Sequence, residues 1–110
     1  MANTFKNSIS GSIGTTTTTV YTTPAATSTT VIGMSVANVS SNNITVSATL
    51  TSAAQNKTAY VVKDATVPVG GSVVLVGGEQ KMVMSASDTL KVVSSAAASV
   101  DVIVSVLEIS

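Results

Sequence analysis

Forty-two of the 110 residues are Val, Ile or Thr, and no stretch of the chain carries an apolar repeat of helical period. Branching at Cβ stiffens a side chain against a helical turn and suits it to the pleat of a sheet, so this chain is directed toward strands. Period two is plain across 43–51, where Ile44, Val46, Ala48 and Leu50 alternate with Asn43, Thr45, Ser47, Thr49 and Thr51. One face of that strand belongs to a core and the other to water. A long strand is expected before it, over 29–39, with Ser40-Ser41-Asn42-Asn43 joining the two as a hairpin.

The pattern then predicts strands at 58–63 and 65–68, a turn at Pro68-Val69-Gly70-Gly71, and a strand at 72–76 closed by Gly77-Gly78. Strands at 80–85, 89–94 and 100–109 follow, and 20–23 precedes them all. About eight strands at this spacing predict an all-β fold, a two-layer antiparallel β-sandwich of jelly-roll or Ig-like type. The length allows one domain with one core. It is placed at 20–110, with 1–19 as an extended N-terminal arm, because Phe5, Ile9 and Ile13 are the only large apolar groups in that stretch. Such a segment is either a frayed terminus or an arm that docks on a neighbouring subunit with Phe5 as its anchor.

The last strand is the most informative. Val100, Val102, Val104 and Val106 make one face, yet the other carries Ile103, Leu107 and Ile109 after Asp101, so both faces call for burial. A cover supplied by the N-terminal arm would satisfy this, and so would a subunit interface. Phe5, Ile9, Ile13, Ile103, Leu107 and Ile109 are therefore the expected interface residues. Met82 and Met84 share one strand face and read as core filler.

Composition removes most chemistry. There is no Cys, His, Trp or Arg, so the commonest general base, the thiolate nucleophile and the usual zinc and iron ligands are missing. No lysine stands in an S-x-x-K arrangement, and Phe5, Tyr21 and Tyr60 are too few aromatics for a glycosidase cleft. Asp64, Glu79, Asp88, Asp101 and Glu108 are scattered, as solvated or edge-guarding charges would be, and form no calcium loop. The glycines at 70–71 and 77–78 lack the following Lys-Ser or Lys-Thr of a phosphate loop. The chain is expected to be no enzyme and to take no cofactor or metal. Five lysines against five acids leave no basic patch for nucleic acid, and no apolar run is long enough for a membrane helix. The opening residues lack the apolar centre of a signal peptide, which predicts a protein made and used without export. Charged residues are only 9% of the chain, so much of its surface is expected to be covered by assembly.

Several segments carry a family resemblance. Met1-Ala2-Asn3-Thr4-Phe5-Lys6-Asn7, the Thr-rich approach to Val20-Tyr21-Thr22-Thr23-Pro24, and 30–38 belong to it. So do Ala59-Tyr60-Val61-Val62-Lys63-Asp64-Ala65, 67–72 and the ending Ser105-Val106-Leu107-Glu108-Ile109. Together they resemble the small virion structural proteins of tailed bacteriophages, especially those of aquatic bacteria and cyanobacteria. The resemblance implies a β-sandwich repeated on a particle, as a capsid decoration or cement protein or as a small tail, baseplate or fibre component. Its partners would be other virion proteins, the major capsid protein or tail proteins, and further copies of itself as a homo-oligomer. Its place would be the virion, assembled in the host cytoplasm.

Overall fold

A computed structural model describes residues 3–77 and 81–110, all of it strands and their connections. The strands are β1 (Asn3–Ile13), β2 (Thr18–Thr22), β3 (Ser28–Asn38), β4 (Ile44–Ser52), β5 (Lys57–Val67), β6 (Ser72–Val76), β7 (Met82–Met84), β8 (Thr89–Ser94) and β9 (Val100–Ile109). They form two antiparallel sheets packed as a sandwich, as the alternation predicts. The five-stranded sheet runs β1-β9-β3-β6, with β7 also on β3, and the four-stranded sheet runs β2-β8-β4-β5. The strand expected at 80–85 is β7, while Met1, Ala2, Gly78, Glu79 and Gln80 lie outside the described residues.

Inward residues at period two fill the space between the sheets. Val31, Met34 and Val36 of β3 with Val100, Val102, Val104 and Val106 of β9 face Ile44, Val46 and Ala48 of β4 and Leu90 and Val92 of β8. Met84 is fully buried and Met82 packs against the core from its margin, so both act as filler.

Four expectations change. The link after β3 is no hairpin, because β3 pairs within the five-stranded sheet and β4 within the other. Asn38 holds that crossing: its Nδ2 donates to the carbonyls of Asn42 (2.8 Å) and Val67 (3.0 Å), and its Oδ1 accepts from the Ser40 amide and hydroxyl. The strands expected at 58–63 and 65–68 are one strand, β5, carried through a bulge. There Asp64 takes a positive φ of 54°, and its amide donates to the Ser47 hydroxyl. Asp88 and Glu108 are buried rather than solvated. The Asp88 carboxylate accepts from the amides of Ala53 and Ser85 and so ties two turns together. Of the remaining acids, Asp64 is exposed and Asp101 half-buried.

Most of the stretch expected as an arm is in strands here. Residues 3–13 lie beside β9 of their own chain as an edge strand, and β2 begins at Thr18. The turn at 68–71 is as expected, with Gly70 at φ +71° and the Gly71 amide bonded to the Pro68 carbonyl.

Candidate assembly interface

The outward faces of the two sheets differ in chemistry. On the four-stranded sheet one cross-strand row is Thr22-Thr89-Thr51-Thr58, and the next is Thr19-Lys91-Thr49-Tyr60. Hydroxyls and an ammonium cover these strands, and such a face is content in water. On the five-stranded sheet, directly opposed residues build the row Phe5-Leu107-Thr30-Val83 and the row Ile9-Ile103-Ser35-Val74. Each row carries three apolar side chains in four. Asn7, Ser105 and Gly33 lie between them, with the half-buried Ile32 at the register shift beside Gly33, so the face has two apolar ridges about 13 Å apart along the strands.

These ridges meet solvent in the isolated chain. Phe5 is 74% exposed, Ile9 69%, Val83 69%, Val74 68% and Ile103 47%. They are five of the eight large apolar residues exposed among those described, gathered on one side. Exposed apolar groups scattered singly are ordinary, whereas these gather on one face of one sheet. The face also lacks charge to keep it wet. Asp101 stands at its margin, while Lys6 and Glu108 point to the other side of the sheet.

Of the residues expected at an interface, Phe5, Ile9, Ile103 and Leu107 share these ridges, and Ile109 flanks them in the row Asn3-Ile109-Ser28. Ile13 does not join them. A register shift between Ser10 and Ile13, with Ser12 at φ 54°, turns it inward, and at 3% exposure it belongs to the core. β1 runs beside β9 and not over it, so the arm does not cover the outer face of the last strand. Val74 and Val83 were not expected there, because only cross-strand register places them on this face.

The inner side of the same sheet end holds a polar cluster. The Tyr21 hydroxyl donates to Glu108 Oε2 at 2.6 Å and lies 2.9 Å from the Thr29 hydroxyl, and Lys6 Nζ is 3.4 Å from Glu108 Oε1. Burial first, and then the hydrogen bond to Glu108, push the Tyr21 phenol up to about 12. A cleft of about 380 Å³ opens here between β1 and β2. Its ionisable groups Lys6, Tyr21 and Glu108 bond to one another. An apolar cleft of about 240 Å³ opens between the opposite edges of the sheets, lined by Leu50, Tyr60, Leu75 and Met82 among others. Among the described residues no group of three or more acidic, His or Cys side chains is placed to hold a metal ion. No helix among them is long and apolar enough to cross a membrane.

No protein-family model matches this chain, and no curated protein matches it. Solved structures do resemble it. A chain from Bacillus endospore appendages, described as a novel family of disulfide-linked pili, superposes with a TM-score of 0.59 at 14% identity, covering 98% of this chain and 88% of that one. A chain from infectious bursal disease virus, Gx strain, superposes with a TM-score of 0.55 at 15% identity; 96% of this chain covers 36% of it. At such identities the likeness is one of fold.

Proposed function

We propose that this chain is a non-enzymatic structural subunit that works by packing. The outer face of the five-stranded sheet meets further copies and neighbouring structural proteins, and the threonine-covered face of the other sheet looks to solvent. The observation that carries this reading is the pair of uncharged apolar ridges on one face only. The fold shared with a pilus chain and a virus chain supports it. The resemblance of 59–65 and 67–72 to tailed-phage proteins narrows it to a virion component, most simply a capsid decoration protein seated on the major capsid protein. Such a protein stabilises a shell in proportion to how much better it binds the assembled state than the free subunits. A small tail, baseplate or fibre component is the second reading. The coverage of 88% of a pilus chain favours it, because like subunits repeat head to tail in a tube.

Ile103→Asp and Leu107→Asp test the face. Each is expected to give a soluble, folded monomer that no longer joins the particle, as read by circular dichroism and co-sedimentation. Variants that fold and still assemble would overturn the reading. Copy number per particle separates the two locations, since hundreds point to a shell and a few dozen or fewer to a tail.

A further inference from the structure

We infer that β1 is an exchangeable strand: in the assembly, residues 3–10 leave β9 of their own chain and pair with β9 of a neighbouring copy. The inference rests on the reading that further copies pack against this chain, and it names how they are linked.

The inward residues of β1 are Thr4, Lys6, Ser8 and Ser10, opposite Glu108, Val106, Val104 and Val102. Its apolar residues Phe5 and Ile9 point outward. This is the reverse of a core strand, so residues 3–10 add little apolar burial to their own domain. They are held by an unbroken main-chain ladder from Asn3↔Ile109 to Ser10↔Val102, by the Ser8 hydroxyl on the Val20 carbonyl (2.7 Å), and by Lys6 on Glu108. Every one of those bonds can be remade by the same segment of another copy, because donor and acceptor are both part of this chain.

A hinge stands where the ladder ends. Gly11 and Ser12 are exposed, the register shifts there, and Ser12 takes a positive φ. Beyond it the chain is clamped. The Ile13 carbonyl accepts from the Ser99 amide and the Gly14 carbonyl from the Ser94 amide, both at 2.9 Å. Gly14 lies so close to the next loop that an added Cβ would stand 3.0 Å from the Ala98 nitrogen. A strand that swings at Gly11–Ser12 therefore leaves the core closed behind it. Eight extended residues span about 26 Å, matching the shorter dimensions of the subunit, 26 and 22 Å. A neighbour packed alongside is within reach.

Because the bonds are the same in both arrangements, concentration decides between them. Own-chain pairing has an effective concentration of order mM, which free subunits do not reach and neighbours held in a particle do. Exchange belongs to the assembly, and the dilute subunit keeps its own strand.

The absence of cysteine makes the test clean. Asn7 and Ser105 are directly opposed on the outer face. N7C and S105C chains are mixed at assembling concentration, oxidised and run on a non-reducing gel, with the N7C/S105C double variant as the own-chain reference at dilution. The expected result is a disulfide-linked dimer specific to the mixture, several-fold above a mixture of S105C with N3C, which is out of register because Asn3 lies opposite Ile109, and lost on dilution before oxidation. Particles that form without this dimer would show that the strand stays with its own chain, and packing alone would stand. Equal yields from matched and mismatched pairs would overturn exchange as well, and mixtures that form no particle would overturn packing and exchange together.

Discussion

Consecutive residues of β9 offer a direct test of which side of the sheet is core and which is contact surface. Val104 is fully buried, whereas Ile103, next to it, is 47% exposed on the outer face. Val104→Ala removes about two methyl groups from a close-packed interior, roughly 1.6 kcal/mol of transfer free energy. The cavity left behind raises the loss to about 2–3 kcal/mol. Ile103→Ala removes more atoms, but about half of that side chain is already in water and no closed cavity results, so its cost in the isolated subunit is about 1 kcal/mol or less. With a urea slope of about 1.5 kcal/mol/M, the midpoint should fall by about 1.3–2 M for Val104→Ala and by about 0.7 M or less for Ile103→Ala. In assembly the order reverses. A side chain that completes its burial only against a neighbour loses that term when truncated, and a loss of about 1.4 kcal/mol raises the critical concentration about tenfold. Urea unfolding at dilution and sedimentation across a concentration series read the two quantities separately. Equal midpoint shifts, or an Ile103→Ala chain that assembles at the normal concentration, would refute the division of the sheet into two faces.

Two further outcomes follow from the buried polar groups. Tyr21→Phe removes the hydroxyl on Glu108 and should cost about 1.5–3 kcal/mol at neutral pH. Because the phenol is pushed up to about 12 in the fold against 10 when unfolded, its contribution is complete below pH 10 and declines from pH 10 toward 12; urea midpoints of the Phe variant should lack that component of the alkaline loss. Asp88→Ala strips the acceptor from the amides of Ala53 and Ser85 and should cost about 2–4 kcal/mol, with Asp88→Asn falling between it and the parent in the same measurement.

Alternation is a local property, and what depends on it was legible in the residues themselves. The all-β class, the inward set Ile44, Val46 and Ala48, the four inward valines of β9 and the turn at Gly70 all follow from side-chain branching, period two and positive φ. The two-sided apolar character of β9 was legible for the same reason, and with Phe5 and Ile9 it pointed to much of the exposed apolar face. Partner choice is not local. The residues Ser40 to Asn43 suit a hairpin as well as a crossing between sheets, and only the bonds of the Asn38 side chain to Asn42 and Val67 show which one forms. Register is not local either: the bulges at Ser12 and Asp64 use positive φ at residues other than glycine, so nothing in the pattern announced that Ile13 would turn inward or that β5 would continue unbroken. The burial of Asp88 and Glu108 depends on amides and hydroxyls brought from distant positions. By itself, then, the sequence determined that this chain makes strands and which faces of β4 and β9 are apolar. The tertiary structure decided that Phe5, Val74, Val83 and Ile103, far apart along the chain, lie on one surface, because cross-strand pairing and not spacing sets which side chains become neighbours.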